Sequence, residues 1–179
     1  MIPSLPRARA ASQRRQQVLD AAAMLVIQKG AANLTLDAVS VAAHVSKGGL
    51  LYYFDSKMSL LEALTDHLAE QLQLEVEKQA AGGNLAKAYL QLAARLGALP
   101  KDQQVFKALT LICTTHPELA GRARARLQLF EQAPQSCDVS LEELHLRLVA
   151  DGMWLADLCS CYEIRPEQRA ALLEKLGAA

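Results

Sequence analysis

Aromatic side chains are scarce in this sequence: one Trp, four Tyr and three Phe make up 4% of its 179 residues. No apolar run approaches the roughly 18 residues that a membrane-spanning helix needs. The basic stretch near the N-terminus is followed by no apolar segment of the kind that an export signal contains. Four cysteines are too few for a disulfide framework in a chain of this length. We therefore expect a soluble cytoplasmic protein without a membrane partner.

Alternating strand patterns of useful length are also missing, whereas apolar residues recur at helical spacing between glycines and prolines. The pattern predicts an all-α chain of about nine helices. Four residues are suited to capping the helices that follow them, namely Thr35, Ser46, Asn84 and Ser140. The predicted helices lie at about 13–29, after 35, 46–54, 56–81, after 84, 102–115, 117–133, 140–162 and 163–176.

Signatures of catalysis are absent as well. The four histidines (His44, His67, His116 and His145) are scattered, and none lies at metal-ligand spacing with a cysteine or an acid. The sequence contains no nucleophile elbow, phosphate-binding loop or paired-carboxylate motif. We therefore predict no catalytic residue, no metal site and no cofactor, and we expect that the protein is not an enzyme.

The zero net charge conceals an asymmetry along the chain. Residues 1–57 carry seven basic and three acidic side chains, a balance of +4, and the remainder carries a balance of −4. A basic segment joined to an acidic one is typical of a polyanion-binding module attached to a regulatory or assembly module. The charge pattern thus favours nucleic acid as a partner of the N-terminal part.

The segment at 35–57, TLDAVSVAAHVSKGGLLYYFDSK, has the outline of a helix-turn-helix at about 35–54. Leu50 and Phe54 lie four residues apart and are expected to face the core, which turns Gly48 and Tyr52 outward. Adjacent glycines cost a helix about 1 kcal/mol each, so their presence indicates that the backbone approaches another molecule. Ser46 and the first-turn amides, with nearby lysines and tyrosines, could bind phosphate.

Residues 12–72 resemble the N-terminal domain of the TetR (tetracycline-repressor-like) regulators. The matching pieces are RRQQVLDAAAMLVIQKG, LTLDAVSVAA and VSKGGLLYYFDSKMSLLEAL. The resemblance implies a DNA-binding domain at 12–72 and a helical ligand-binding and dimerisation domain at 73–179. It also implies a homodimeric repressor that leaves double-stranded DNA when an unknown small-molecule effector binds. With Ser46 added, the implied DNA-binding residues are Thr35, Ser46, Lys47, Gly48, Gly49, Leu51, Tyr52, Tyr53 and Lys57.

Three residues depart from the family's pattern. His44 replaces the usual turn glycine and is therefore expected to adopt a positive φ, which histidine tolerates better than most residues. Gly49 and Leu51 replace residues that carry hydroxyl groups, so direct contacts to bases should be few. Leu51 can still contact a thymine methyl group. We expect specificity to come from Lys47, from DNA shape and from an N-terminal arm that contains Arg7, Arg9, Arg14 and Arg15. A disordered solubilising tail is the alternative for this arm.

The predicted helix at 140–162 is apolar on two sides and must therefore be covered twice. One cover is its own domain, and the other is predicted to be the same helix of a second subunit. A central helix of a monomeric bundle is the alternative. The predicted dimer interface comprises Leu144, Leu146, Leu148, Val149, Met153, Leu155, Ala156 and Leu158.

The larger or softer apolar side chains of the C-terminal part are candidates for the wall of an effector pocket, although side chains of this kind more often belong to the core. They are Tyr89, Phe106, Cys113, Phe130, Met153 and Trp154. Two other functions stay open at this point. One is a thiol-responsive regulator using Cys159 or Cys161, and the other is a helical protein-interaction adaptor that does not bind DNA.

Overall fold

The computed structural model describes residues 5–95, 100–127, 140–160 and 163–179, with the side chains of 5–8 and 100–103 left out. Within these ranges the chain forms nine α-helices and no strand, which confirms the predicted all-α class. In chain order they are α1 (Leu5–Lys29), α2 (Leu36–Ala42), α3 (Lys47–Tyr53), α4 (Lys57–Ala80), α5 (Leu85–Arg95), α6 (Pro100–Thr115), α7 (Ala120–Arg126), α8 (Leu141–Cys159) and α9 (Pro166–Lys175).

Side-chain caps fix where four of these helices begin, as the sequence predicted. Each cap accepts a hydrogen bond from a backbone amide of the first turn, which would otherwise lack a partner. The four pairs are Thr35 Oγ1 with Ala38 N (3.2 Å), Ser46 Oγ with Gly49 N (3.0 Å), Asn84 Oδ1 with Lys87 N (2.9 Å) and Ser140 Oγ with Glu143 N (3.1 Å).

Several helix ends differ from the prediction. α1 begins at Leu5 rather than near residue 13, because its alanines and arginines are good helix formers although they lack an apolar period. Pro117–Leu119 forms a 3-10 turn before α7. The part of the predicted seventh helix beyond residue 127 lies outside the described residues. α8 ends at Cys159, because Ser160 adopts a left-handed conformation with φ 49°.

By packing, the described chain divides into two compact units. The first contains the residues up to Leu68 together with Ala108–Ala123. Its core is apolar and includes residues from α1 to α4, namely Val18, Leu19, Ala22, Val26, Val39, Leu50, Phe54, Leu60, Leu61 and Leu64. A bidentate ion pair ties the start of α7 to α4 within this unit. In it, the Arg122 guanidinium donates from Nε and Nη2 to the two carboxylate oxygens of Asp66, each at 2.8 Å.

The second unit contains Ala69–Lys107 and Arg124–Ala179. In it α5 packs mainly along α8 and also contacts α9. A buried arginine joins these three helices: Arg169 of α9 donates to the carbonyl of Ala93 (3.1 Å), to the carbonyl of Ile164 (3.1 Å) and to the Asp157 carboxylate of α8. The three bonds satisfy a charge that would otherwise be costly to bury.

Replacing this arginine is expected to destabilise the protein. Arg169→Leu leaves the half-buried Asp157 carboxylate without its cation, which should lower the free energy of unfolding by about 3 kcal/mol. Urea unfolding measures the difference. Arg124→Leu is the matched control, because Arg124 is exposed on α7 and should change the free energy by no more than about 0.5 kcal/mol. Equal stability of the two variants would contradict the role of Arg169.

Candidate nucleic-acid interface

The short helix α3 is anchored by two side chains on one side. Leu50 is completely buried, and Phe54, directly after the helix, is 3% exposed. The Arg15 guanidinium of α1 lies over the Phe54 ring, 5.3 Å from its centroid, so this ring is covered by a cation–π contact as well. The prediction that Leu50 and Phe54 face the core is confirmed.

The turn between α2 and α3 depends on one residue with an unusual backbone conformation. His44 has a φ of 53° and donates its amide to the Val41 carbonyl at 3.2 Å. The next amide, that of Val45, donates to the Ser40 carbonyl at 3.0 Å. These bonds close the end of α2 and redirect the chain into α3. The positive φ expected at His44 is therefore present.

The opposite side of α3 is open to solvent. Tyr52 is 82% exposed, and Leu51 and Gly48 are exposed beside it. Tyr53 is half-buried, and its ring meets the Tyr52 ring edge to face, with centroids 5.2 Å apart. We call the surface formed by Gly48, Leu51 and Tyr52 the outer face of α3. It combines a bare stretch of backbone, an apolar side chain and a phenol group.

The two glycines of α3 have different surroundings. A Cβ atom built on Gly48 meets no other atom within 4 Å, whereas one built on Gly49 lies 3.0 Å from Ser46 Oγ. Gly49 therefore leaves room for the Ser46 cap inside the protein. Nothing inside the described protein requires a glycine at position 48.

The two lysines of the candidate interface are each bound to an oxygen atom of the protein. Lys47 Nζ lies 2.8 Å from a carboxylate oxygen of Asp37, on α2. Lys57 Nζ donates to the carbonyl of Ala32 at 2.6 Å, which links the start of α4 to the loop after α1. An ammonium group has three donors, so each lysine retains capacity for a phosphate.

The acidic residue closest in sequence to Lys57 is Asp55. Hydrogen bonds from the side chains of Ser59 and Ser56 lower the pKa of this fully exposed carboxyl below its usual range. Asp55 therefore stays ionised throughout the neutral range. A negative charge persists beside the start of α4 and limits the positive potential of this surface.

The arginines near the N-terminus belong to a helix. The helix α1 carries the exposed side chains of Arg9, Arg14 and Arg15. Arg7 lies in the same helix, but its side chain is not among those described. The expected arm is therefore helical where it is described. A helix places these guanidinium groups at fixed spacing, which suits phosphate contacts.

Part of the predicted effector pocket is an aromatic cluster in the second unit. The rings of Phe106 and Trp154 stack with centroids 4.0 Å apart, and Tyr89 lies 6.4 Å from Trp154. Met153 is buried in the same unit. Cys113 belongs to the first unit, and Phe130 lies outside the described residues. The structure thus brings together the three aromatic rings of the prediction.

A polar pair lies at the edge of this aromatic cluster. The Tyr89 hydroxyl donates to the Asp151 carboxylate at 2.8 Å. Burial, followed by the nearby Asp151 charge, raises the pKa of Tyr89 well above its usual value, so the phenol stays protonated. Burial also raises the pKa of Asp151. The cluster therefore places buried aromatic rings next to a carboxylate.

The two apolar stripes of α8 have different environments. Leu146, Met153 and Ala156 are buried within the chain, and Val149 and Leu158 are half-buried. By contrast, Leu144, Leu148 and Leu155 are exposed, as is Leu141, which the interface prediction omitted. Because three of the predicted interface residues already belong to the core of their own chain, the stripe available to a second subunit is the exposed one. We call these four exposed leucines the leucine stripe.

Free thiols occur in both units. Cys113 is half-buried, and burial raises the pKa of its thiol, which lowers its reactivity. Cys159 is exposed at the end of α8, while Cys137 and Cys161 lie outside the described residues.

Among the described residues, no three His, Cys, Asp or Glu side chains form a group that could hold a metal ion. The described helices include none that is long and apolar enough to span a membrane.

Two short helices joined by a tight turn, the second capped and anchored in the core, form a helix-turn-helix motif. Family models match both parts of the chain. Residues 18–64 match the bacterial regulatory proteins of the tetR family, and residues 83–179, more than half of the chain, match the tetracyclin repressor-like C-terminal domain. The chain therefore belongs to the TetR family of bacterial transcriptional regulators.

Curated relatives match over a little more than a third of the chain. The regulator SrpR of Pseudomonas putida is 29% identical over 65 residues, which make up 36% of this chain and 30% of SrpR. The regulator BetI of Paraburkholderia phymatum is 34% identical over 68 residues, or 38% of this chain and 35% of BetI. The matched segment thus spans about a third of the length of these two relatives.

Solved structures match over nearly the whole fold. A TetR-family protein from Streptomyces coelicolor A3 has a TM-score of 0.67 at 24% identity, covering 91% of this chain and 97% of its own. NalD of Pseudomonas aeruginosa, a secondary repressor of the MexAB-OprM multidrug efflux pump, has a TM-score of 0.64 at 19% identity, covering 93% and 96%. The multidrug-binding protein EbrR in complex with malachite green has a TM-score of 0.68 at 24% identity, and the match covers 91% of this chain and 97% of EbrR.

The surroundings of the two glycines of α3 predict different responses to alanine. Gly48→Ala should raise the free energy of unfolding by about 1 kcal/mol, because its Cβ meets nothing and alanine favours the helix. Gly49→Ala should gain less or lose stability, because its Cβ crowds the Ser46 cap. Chemical denaturation of both variants measures the difference. An alanine at position 49 that stabilises as much as one at position 48 would contradict this account of the cap.

Proposed function

We propose that this regulator is a cytoplasmic homodimeric repressor that binds a near-palindromic DNA operator and is released by a small-molecule effector. The observation that carries the DNA-binding part is the exposed outer face of α3, held outward by the burial of Leu50 and Phe54. A helix so fixed can enter the major groove, where base edges are distinguishable.

The proposed DNA contacts combine positioning with limited base contact. Hydroxyl and ammonium groups around α3 bind phosphates and fix the register of the helix on the duplex. Gly48 lets the backbone come close to the DNA, and Leu51 contacts a thymine methyl group. The complete proposed set is Thr35, Ser46, Lys47, Gly48, Gly49, Leu51, Tyr52, Tyr53 and Lys57.

The leucine stripe of α8 supports the homodimer. Leu148 is 60% exposed and Leu155 is 55% exposed, on a helix whose other side is already buried within the chain. Pairing this stripe with its copy in a second subunit removes apolar surface from water. A dimer also matches DNA, since two recognition helices about 34–36 Å apart fit successive major grooves of a palindromic site.

The aromatic cluster of Tyr89, Phe106 and Trp154 supports an organic effector, with Met153 beside it in the same unit. Aromatic rings suit apolar contact with an organic molecule, and Asp151 supplies a polar group beside Tyr89. Relatives in structure are consistent with this proposal, because EbrR is known in complexes with malachite green and ethidium. Cys113 and Phe130 stay predicted members of the pocket.

Selection of duplexes from random sequence by the full-length protein tests the function directly. We expect a near-palindromic site. The affinity for it should fall steeply as the salt concentration rises, because lysines and arginines that bind phosphates release counterions from the DNA. Candidate organic effectors are then added to the complex to measure release. A protein that enriches no sequence and binds no duplex even at low salt would contradict the proposal and favour an adaptor.

Gly48→Ala tests the close approach of the recognition helix. The added methyl group should weaken operator binding by about tenfold or more, although the protein itself becomes more stable, because the group occupies space that the duplex needs. Fluorescence anisotropy with a labelled operator measures the affinity. Gly121→Ala on α7 is the matched control, since its Cβ also meets nothing within 4 Å. Equal operator affinity in both variants would refute close approach at Gly48.

Leu148→Glu tests the homodimer. A carboxylate in the middle of the leucine stripe should shift the protein from dimer to monomer at micromolar concentration, because the charge would be buried in the interface. Analytical ultracentrifugation gives the mass. Leu74→Glu is the control, because Leu74 is 57% exposed on α4 and lies outside the stripe. A wild-type protein that is monomeric would contradict the proposed interface. So would a Leu148→Glu variant that stays as dimeric as the Leu74→Glu control.

A further inference from the structure

An ion pair bridges the two helices of the helix-turn-helix motif. Asp37 lies in the first turn of α2, and Lys47 is the first residue of α3. Their charged groups approach to 2.8 Å, although ten positions separate them in the chain. The only lysine on α3 thus has an acidic partner before any DNA arrives.

This ion pair contributes little to holding the motif together. The Lys47 side chain is 62% exposed and that of Asp37 is 70% exposed, so water and salt screen the attraction. The two helices have stronger supports in the Thr35 and Ser46 caps and in the buried Leu50. The ion pair therefore adds little to the stability of the motif, and Asp37 also favours the dipole of α2 from its first turn.

The acid is also unfavourable for binding to a polyanion in general. Asp37 is one of only three acidic residues among the first 57, and it lies against a lysine of the proposed DNA-binding set. A phosphate that approaches Lys47 has to share the ammonium group with this carboxylate and is repelled by its charge. The cost applies to every sequence, because every duplex presents phosphates.

We propose that Asp37 is a specificity-determining residue, an inference that rests on the proposed DNA-binding function. Its carboxylate holds the Lys47 ammonium group away from arbitrary phosphates. A guanine edge in the operator presents two acceptors, O6 and N7, to the same ammonium group. The guanine edge therefore displaces the Asp37 carboxylate from Lys47, whereas a backbone phosphate alone does not. Asp37 thus lowers the affinity for random DNA more than the affinity for the operator.

The test compares wild type with Asp37→Asn on two duplexes, the selected operator and a scrambled sequence of equal length. Anisotropy titrations at several salt concentrations give the affinities and their salt dependence. We expect Asp37→Asn to bind scrambled DNA about two- to fivefold more tightly, the range set by an exposed ion pair. Its salt slope on that DNA should steepen by about one, because Lys47 then neutralises one more phosphate. Operator affinity should change by less than about twofold.

Two controls separate this role from a change in net charge. Asp20→Asn removes one negative charge from α1 in the same unit, where the side chain is 61% exposed, and should leave the ratio of operator to scrambled affinity unchanged. In a Lys47→Ala background, Asp37→Asn should no longer change that ratio. A ratio that falls equally in Asp20→Asn, or that still falls without Lys47, overturns the proposal.

Failure of this inference can be distinguished from failure of the proposed function. If wild type selects an operator but Asp37→Asn keeps the same ratio of affinities, the role of Asp37 is refuted and the DNA-binding function stands. If wild type binds no duplex at low salt, both are refuted. Circular dichroism and thermal unfolding verify that Asp37→Asn is folded, and the weak ion pair predicts little change in Tm.

Discussion

Burial of Leu50 and Phe54 is the constraint on which the proposed DNA-binding surface depends. A helix of seven residues with two adjacent glycines does not persist by itself in water, because too few hydrogen bonds offset the cost of nucleation. Leu50 has no exposed surface, and Phe54 is covered in part by the Arg15 guanidinium. Fixing these two side chains fixes the rotation of α3 about its axis, so Tyr52 and Gly48 face solvent.

The charges around α3 limit the positive potential of this surface. Each of its two lysines has an oxygen partner within the protein, a carboxylate for Lys47 and a carbonyl for Lys57. Asp55 stays ionised close by in the sequence. Such a surface attracts a polyanion only weakly in general, which leaves more of the binding free energy to contacts that depend on sequence and DNA shape.

Local chemistry explains what the sequence could predict. The caps at Thr35 and Ser46 and the buried side of α3 follow from residue type and helical spacing. The positive φ of His44 is implied by the family resemblance, in which a glycine is usual at this turn. The ion pair of Lys47 could not be predicted, because it depends on how two helices pack and on which rotamers meet. The burial of Arg169 could not be predicted either, because arginine is usually exposed and only the tertiary structure supplies its three acceptors. DNA contact, dimer and effector stay predictions.

Site-directed photo-crosslinking tests the central claim most directly. A benzoylphenylalanine group replaces Tyr52 on the outer face of α3 in one sample and Met24, which is 40% exposed on α1, in another. Each protein is irradiated with the selected duplex. The account predicts a covalent adduct with DNA from position 52 and a much weaker one from position 24. Equal yields from both positions, or no adduct from position 52 in a protein that still binds the duplex, would contradict it.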